Sequence, residues 1–129
     1  VTDCVQICAP RLGQEAALYG IGHLDGWRRN NAAVMAGRAE ALQRAFTRND
    51  LAYSLVSAGA YFAYVRHPFQ GVPATQVARR LAQEFGLLAL PGSWFGPGQE
   101  DYLRFAFANL DSEAMPAIAA RLVESQDGA

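Results

Sequence analysis

The most regular alternation of apolar and polar residues lies at positions 102–107, where the sequence is YLRFAF. Successive residues of a β-strand point to opposite faces of the sheet. The alternation therefore predicts a strand with one buried face and one face that carries an arginine in mid-strand. The buried face comprises Leu103, Phe105 and Phe107, and the opposite face comprises Tyr102, Arg104 and Ala106.

Apolar residues at helical spacing predict four helices. The first covers residues 10–20, with Leu12, Ala16, Ala17 and Tyr19 inward, and Gly20 and Gly22 end it. Asp25 is the predicted N-cap of a long helix that runs to about Thr47. Pro73 opens the third helix and Gly86 ends it. Asp111 or Ser112 caps the last. The inward residues of the later three helices are Trp27, Val34, Ala41, Leu42 and Ala45, then Val77, Ala78, Leu81, Ala82 and Phe85, then Met115, Ile118, Ala119 and Leu122.

Runs rich in Val, Tyr and Phe predict strands at residues 52–57 and 60–65, and a short buried strand follows at 87–90. Ala58-Gly59 separates the first two runs, so they form either a hairpin or one kinked strand. The order of elements predicts an α/β or α+β fold. Its small mixed or antiparallel sheet has three to four strands, is covered by helices and follows a long connector helix.

Composition narrows the possible chemistry. The 129 residues carry a net charge of −1, and all eleven basic residues are arginines. The charge argues against nucleic-acid binding, and the absence of lysine excludes Schiff-base chemistry by a side chain of this chain. No apolar stretch is long enough to cross a membrane. Two cysteines make no disulfide framework, which predicts a reducing, cytoplasmic location.

Arg104 is the strongest candidate for a binding residue. A guanidinium in mid-strand, opposite an apolar face, meets solvent, a side-chain carboxylate or a ligand carboxylate. Structural ion pairs with Glu100, Asp101 or Asp111 are the alternative. The loop Trp94-Phe95-Gly96 lines a pocket or is pinned to its own core. No metal site is predicted, because Cys4, Cys8 and His23 have no recognised ligand spacing and the two cysteines fit buried small side chains.

Three ordered motifs carry a resemblance to a known family. They are GAYFAYV at residues 59–65, VARRLAQEFGLLALPGSWFG at 77–96 and DYLRFAFANLD at 101–111. Together they resemble the C-terminal part of class I/II pyridoxal-phosphate-dependent aminotransferases of fold type I. On this resemblance, residues 1–49 are the end of a large domain with its connector helix, and residues 50–129 are the small domain.

The resemblance implies that Arg104 binds the α-carboxylate of an amino-acid substrate. It also implies that a second group of residues lines the cleft, namely Gly59, Ala60, Tyr61, Ser93, Phe95 and Gly96. The family's cofactor is pyridoxal phosphate, which it binds through a lysine in a Ser-x-x-Lys-like stretch. That lysine has no counterpart here, so we expect no cofactor on this chain alone and no transamination by it alone.

Two hypotheses remain open. The first is a C-terminal fragment of an aminotransferase, which would transfer an amino group between an amino acid and a 2-oxo acid. The alternative is a stand-alone, non-catalytic binding or interaction module on the same scaffold. The apolar stripe of the long helix would lack a partner domain, which predicts a homo-oligomer, most simply a dimer. Nucleic acid and membranes are not expected partners.

Overall fold

The computed structural model describes residues 9–128. The prediction that Cys4 and Cys8 are buried lies outside this range. Within it, four α-helices and four strands follow one another. They are α1 (Arg11–His23), α2 (Asp25–Ala45), β1 (Ser54–Gly59), β2 (Phe62–Arg66), α3 (Ala74–Phe85), β3 (Leu90–Pro91), β4 (Tyr102–Ala106) and α4 (Met115–Glu124).

The strands form one antiparallel sheet in the order β1-β2-β4-β3. This confirms the predicted fold class of a small sheet with helices and a long preceding helix. The chain divides into two compact units, Val1–Val34 and Met35–Ala129. The domain division at residues 49 and 50 rests on the family resemblance and stays a prediction.

The first unit contains α1 and the start of α2. The predicted end of the first helix at Gly20 is wrong, because α1 continues to His23 and the Leu24 N–H still donates to the Gly20 carbonyl at 3.0 Å. A glycine inside a helix costs only about 1 kcal/mol, so neighbouring turns can carry the helix through it. Asp25 is the first helical residue rather than a cap outside the helix, and it pairs with Arg28.

No residue of α1 is buried, so the predicted inward face of this helix is wrong. Leu12 is 83% exposed, and Trp27 at the start of α2 is 63% exposed. Helical periodicity identifies an apolar stripe but not what covers it. The two helices therefore carry a set of exposed apolar side chains, which we call the α1–α2 apolar set: Leu12, Leu18, Tyr19, Ile21, Leu24, Trp27 and Val34.

The second unit contains the sheet and the hydrophobic core. The end of α2, one face of the sheet, α3 and α4 bury their side chains together. The largest fully buried apolar side chains are Phe107, Leu81, Leu103, Met115, Leu122 and Val65. Ala82 is exposed, contrary to prediction, because the buried face of α3 is centred on Val77, Ala78 and Leu81.

The hairpin of β1 and β2 is confirmed, but its turn is not at Ala58-Gly59. Gly59 pairs with Phe62, so the two turn residues are Ala60 and Tyr61, and Ala60 has a φ of 50°. The register shifts between Leu55 and Ser57, which leaves Val56 as the extra residue of a β-bulge. The turn therefore lies two residues further along the chain than predicted.

The third strand is shorter than predicted. It comprises only Leu90 and Pro91, because the chain before it completes the end of α3. Gly86 adopts a left-handed conformation with φ of 62°, and the Leu87 N–H donates to the Leu81 carbonyl at 2.9 Å. The Gly86 N–H also donates to the Leu81 carbonyl, so the glycine turns the chain back over the last turn of α3 and closes the end of the helix. Within residues 9–128, no helix combines the length and the hydropathy that a bilayer crossing requires.

Candidate carboxylate-binding site

Arg104 lies at the centre of the sheet, on the face opposite the core. Its cross-strand neighbours are Tyr64 on β2 and Leu90 on β3. Leu103 and Phe107, on the other face, are buried, whereas Arg104 is half-buried. The predicted division of β4 into two faces is therefore confirmed, and Arg104 points away from the core.

Two aromatic rings contact the Arg104 guanidinium. Its central carbon lies over the Phe62 ring, 4.4 Å from the centroid, and over the Phe95 ring, 4.0 Å from the centroid. The electrostatic attraction between a cation and a ring face is worth about 0.5–2 kcal/mol, depending on exposure. The Arg104 Nε is buried and has no hydrogen-bond partner in the described chain.

The acidic side chains proposed as structural partners of Arg104 lie elsewhere. Asp101 pairs with Arg66 at 3.5 Å, and Asp111 pairs with Arg38 at 2.8 Å. Among residues 9–128, no carboxylate forms an ion pair with Arg104, and Glu100 forms none with any base. The guanidinium charge is therefore not neutralised by a side chain of the described chain.

A network next to Arg104 fixes the turn that carries Phe95. The Tyr64 hydroxyl donates to the Gln99 side-chain oxygen at 2.6 Å, and the Tyr64 ring stacks on Tyr102 with centroids 5.2 Å apart. Burial, and secondarily the nearby Tyr102, raises the pKa of the Tyr64 hydroxyl. At Gly92 a side chain has no room, because a Cβ there would lie 2.7 Å from the Tyr64 hydroxyl oxygen.

An open groove of about 370 Å³ runs along this face beside the hairpin. Arg104 and Gly59 both line it, together with Ser57, Ala58, Phe62, Ala63 and Tyr64. Ala60 and Tyr61 form the exposed hairpin turn, and Ser93, Phe95 and Gly96 belong to the turn after β3 or follow it. The structure thus brings Gly59 and Phe95 to Arg104. The roles of all six predicted cleft residues stay predictions.

Phe62 was missed by the sequence analysis. Its position follows once β2 is paired with β4, because Phe62 and Tyr64 share one face of β2 and Tyr64 pairs with Arg104. A residue two positions along a neighbouring strand is within reach of a long side chain. That inference required the pairing of β2 with β4, which the sequence alone did not provide.

The histidines do not contribute to this groove. His23 stacks on Tyr19 in α1, with ring centroids 4.3 Å apart. His67 is buried and donates its Nε2 hydrogen to the Glu100 carbonyl at 3.1 Å. In the described part of the chain, no group of three His, Cys, Asp or Glu side chains could hold a metal ion.

A second cavity, of about 430 Å³, lies on the opposite face of the sheet. Its lining is mostly apolar and includes Phe105, Leu110 and Ile118, and Arg121 is the one charged residue among the lining residues. Of these two cavities, the groove at Arg104 has the more polar lining, and a further one of about 500 Å³ is lined by Arg79 and Arg80 on α3.

The known proteins compared below with this chain are all aminotransferases. No family model matches the sequence. The aromatic aminotransferase ISS1 of Arabidopsis thaliana is 26% identical over 122 residues, which cover 95% of this chain and 30% of that protein. The chain therefore spans about 30% of the length of this curated relative.

Solved structures of aminotransferases also match this chain. An aminotransferase from Staphylococcus aureus superimposes with a TM-score of 0.72 and 28% identity, over 86% of this chain and 29% of that one. The α-aminoadipate aminotransferase LysN from Thermus thermophilus gives a TM-score of 0.63 and 28% identity, over 91% of this chain and 30% of that one. The LysN structure holds N-(5′-phosphopyridoxyl)-L-leucine. In fold and in sequence, this chain is related to the fold type I pyridoxal-phosphate-dependent aminotransferases and corresponds to about a third of such a protein, consistent with its C-terminal portion.

Proposed function

We propose that this chain is the C-terminal portion of an aminotransferase that transfers an amino group between an amino acid and a 2-oxo acid. In this proposal Arg104 binds the α-carboxylate of the substrate. The supporting observation is a half-buried guanidinium on the outer face of the sheet that forms no ion pair within residues 9–128. Such a group has the capacity to bind an external acid.

The contribution of Arg104 is orientation rather than bond making. Arginine presents a planar fork of N–H donors that matches a carboxylate, and charge-assisted hydrogen bonds are about twice as strong as neutral ones. Holding the carboxylate fixes one end of the substrate, which lowers the entropic barrier to a reaction at the neighbouring carbon. The predicted cleft residues would border the bound substrate, namely Gly59, Ala60, Tyr61, Ser93, Phe95 and Gly96.

The residues present do not fit covalent attachment of pyridoxal phosphate. The chain contains no lysine, and its basic side chains are arginines and two histidines. The lysine would have to come from a part of the protein outside this sequence. The proposal therefore assigns substrate binding to this chain and no chemical step on the cofactor.

The remaining assignments follow from the same proposal. The partner is a small amino acid or 2-oxo acid, and the protein acts as a homodimer in the cytoplasm. A net charge of −1 gives no support to nucleic-acid binding.

Substitution of Arg104 tests the proposal in the complete protein that contains this chain. We expect Arg104→Gln to lower kcat/KM for an amino-acid substrate by about tenfold to a hundredfold, the value of one lost charge-assisted interaction. Arg79→Gln is the matched control, because Arg79 is an exposed arginine on α3 and lies on another element. Equal kinetics for Arg104→Gln and the wild type would contradict the assignment.

The alternative function, a binding module without catalysis, is supported by the absence of lysine. The coding sequence upstream distinguishes the two functions. A Ser-x-x-Lys-like stretch in the same reading frame would favour the aminotransferase. A reading frame that encodes no aminotransferase body would favour the module, and Arg104 would then bind a carboxylate without turnover.

A further inference from the structure

Arg104 is contacted by two aromatic rings and forms no ion pair with an acidic side chain of residues 9–128. The two rings belong to Phe62, at the start of β2, and Phe95, in the turn after β3. They come from opposite sides of β4 in the sheet order, since β2 and β3 are the two neighbours of that strand. We call these two residues the aromatic pair.

Rings and carboxylates restrain an arginine in different ways. A side-chain carboxylate accepts hydrogen bonds from the guanidinium and neutralises its charge, which removes the capacity to bind a second acid. A ring attracts the cation through its electron-rich face and accepts no strong in-plane hydrogen bond. The aromatic pair therefore restricts the motion of the guanidinium and leaves its positive charge free to bind an external acid.

The buried Nε adds to this restriction. This atom is inaccessible to solvent and has no partner in residues 9–128, although Arg104 as a whole is only half-buried. The accessible surface of the side chain therefore belongs to its other atoms. Guanidinium is more weakly hydrated than ammonium, so arginine tolerates such partial removal from water better than lysine does.

The backbones that carry both rings are fixed by the fold, and the two side chains are 41% and 47% exposed. Phe62 lies directly after the hairpin turn and pairs with Gly59 and Ala106 in the sheet. Phe95 ends a turn that begins at Gly92, against which the hydroxyl of Tyr64 and the backbone of Gln99 lie closely. The sheet and the turn thus fix the two points from which the rings reach the guanidinium.

We propose that Phe62 and Phe95 are positioning residues for carboxylate binding by Arg104. They replace a counter-ion, restrict the guanidinium before the acid arrives and thereby reduce the entropy lost on binding. This inference rests on the proposed function of Arg104. Immobilising one long side chain on binding has an entropic cost equivalent to about twofold to tenfold in affinity.

The test is a titration of the complete protein that contains this chain with sodium acetate at constant ionic strength, followed by NMR at the Arg104 Nε–Hε group. Arg104→Gln identifies the resonance. Phe62→Leu and Phe95→Leu remove a ring face but keep apolar volume, whereas Phe62→Tyr and Phe95→Tyr retain the face. Phe85→Leu is the matched control, because Phe85 contacts a different guanidinium, that of Arg80, at 5.6 Å.

We expect each Leu variant to raise the dissociation constant for acetate by about twofold to tenfold. Rotation about the Arg104 Nε–Cζ bond should become faster in the same variants. The Tyr variants should restore both values, and Phe85→Leu should change neither. Urea unfolding of each variant shows whether its overall stability has changed. A general loss of stability would lower the unfolding midpoint, whereas a loss of positioning would change only acetate binding and the rotation at Arg104.

Two results would overturn the inference, and they differ. If acetate shifts the wild-type resonance but the Leu variants bind it with unchanged affinity, the aromatic pair has no positioning role while the carboxylate site stands. If acetate causes no saturable shift in the wild type, the carboxylate site itself is wrong and the positioning role is lost with it.

Discussion

Gly92 is the described glycine at which an added methyl group would meet the most severe crowding. A Cβ added there would lie 2.6 Å from the Gln99 carbonyl oxygen, 2.7 Å from the Tyr64 hydroxyl and 2.8 Å from the Tyr102 carbonyl oxygen. Two of these atoms are backbone, and the third is held by its hydrogen bond to Gln99. None of the three can move away without breaking another interaction.

The expected cost of Gly92→Ala follows from this crowding. Inserting a methyl group into a well-packed region typically costs about 1–3 kcal/mol. Because three contacts are violated together, we expect a loss of about 2–3 kcal/mol in the free energy of unfolding. With a urea dependence of about 1–3 kcal/mol per molar, the unfolding midpoint should fall by roughly 0.7 to 3 M.

The assay is urea unfolding followed by circular dichroism, with Gly37→Ala as the control. Gly37 lies inside α2, and a Cβ there would meet nothing within 4 Å. The same substitution should therefore stabilise the chain at that position by about 0.5–1 kcal/mol. An unfolding midpoint for Gly92→Ala at or above that of the wild type would refute the packing argument.

Three further predictions concern stability, the cofactor and assembly. Tyr53→Phe removes the hydroxyl that lies 2.9 Å from the buried Ser125 Oγ, so the free energy of unfolding should fall by about 1 kcal/mol in a urea titration. Burial raises the pKa of Tyr53, so the wild type should be fully stable below pH 10 and lose stability as the pH rises through the folded-state pKa. Tyr53→Phe should flatten that loss. An equally steep loss in the variant would argue against the role of Tyr53. Borohydride treatment with pyridoxal phosphate, followed by mass spectrometry, should yield a reduced adduct on the α-amino terminus alone, and an adduct on any internal residue would disprove this. The exposed α1–α2 apolar set should make the chain dimerise at micromolar concentration, as measured by sedimentation equilibrium. The double variant Leu18→Glu with Ile21→Glu should be a 14.0 kDa monomer. A monomeric wild type would be inconsistent with this association.

The features that the sequence predicted correctly depend on short stretches of chain. Alternation over six residues placed Arg104 opposite the core, and a proline and a glycine bracketed α3 at Pro73 and Gly86. The motifs at residues 59–65, 77–96 and 101–111 indicated the family, which the comparisons support. In each case, the information lies within one element or in one ordered set of motifs.

The features that were missed depend on contacts between distant segments. The hairpin turn lies at Ala60 and Tyr61 rather than at Ala58 and Gly59, and the residues around Val56 gave no signal by which to locate the bulge. The contact of Phe62 and Phe95 with Arg104 requires both the strand order and the turn after β3. The exposure of α1 depends on what lies beside it, and amphipathic spacing does not contain that information.

The ends of the sheet bear on how copies of this chain can meet. An outer strand with free N–H and C=O groups can recruit a strand from another molecule, which leads to open-ended aggregation. Here one outer strand, β1, is interrupted by the Val56 bulge, and the other, β3, has two residues, one of which is Pro91 and lacks an N–H. Strand-by-strand growth is therefore disfavoured at both ends, so that the predicted association through the helices would close on a defined number of copies rather than continue into fibres.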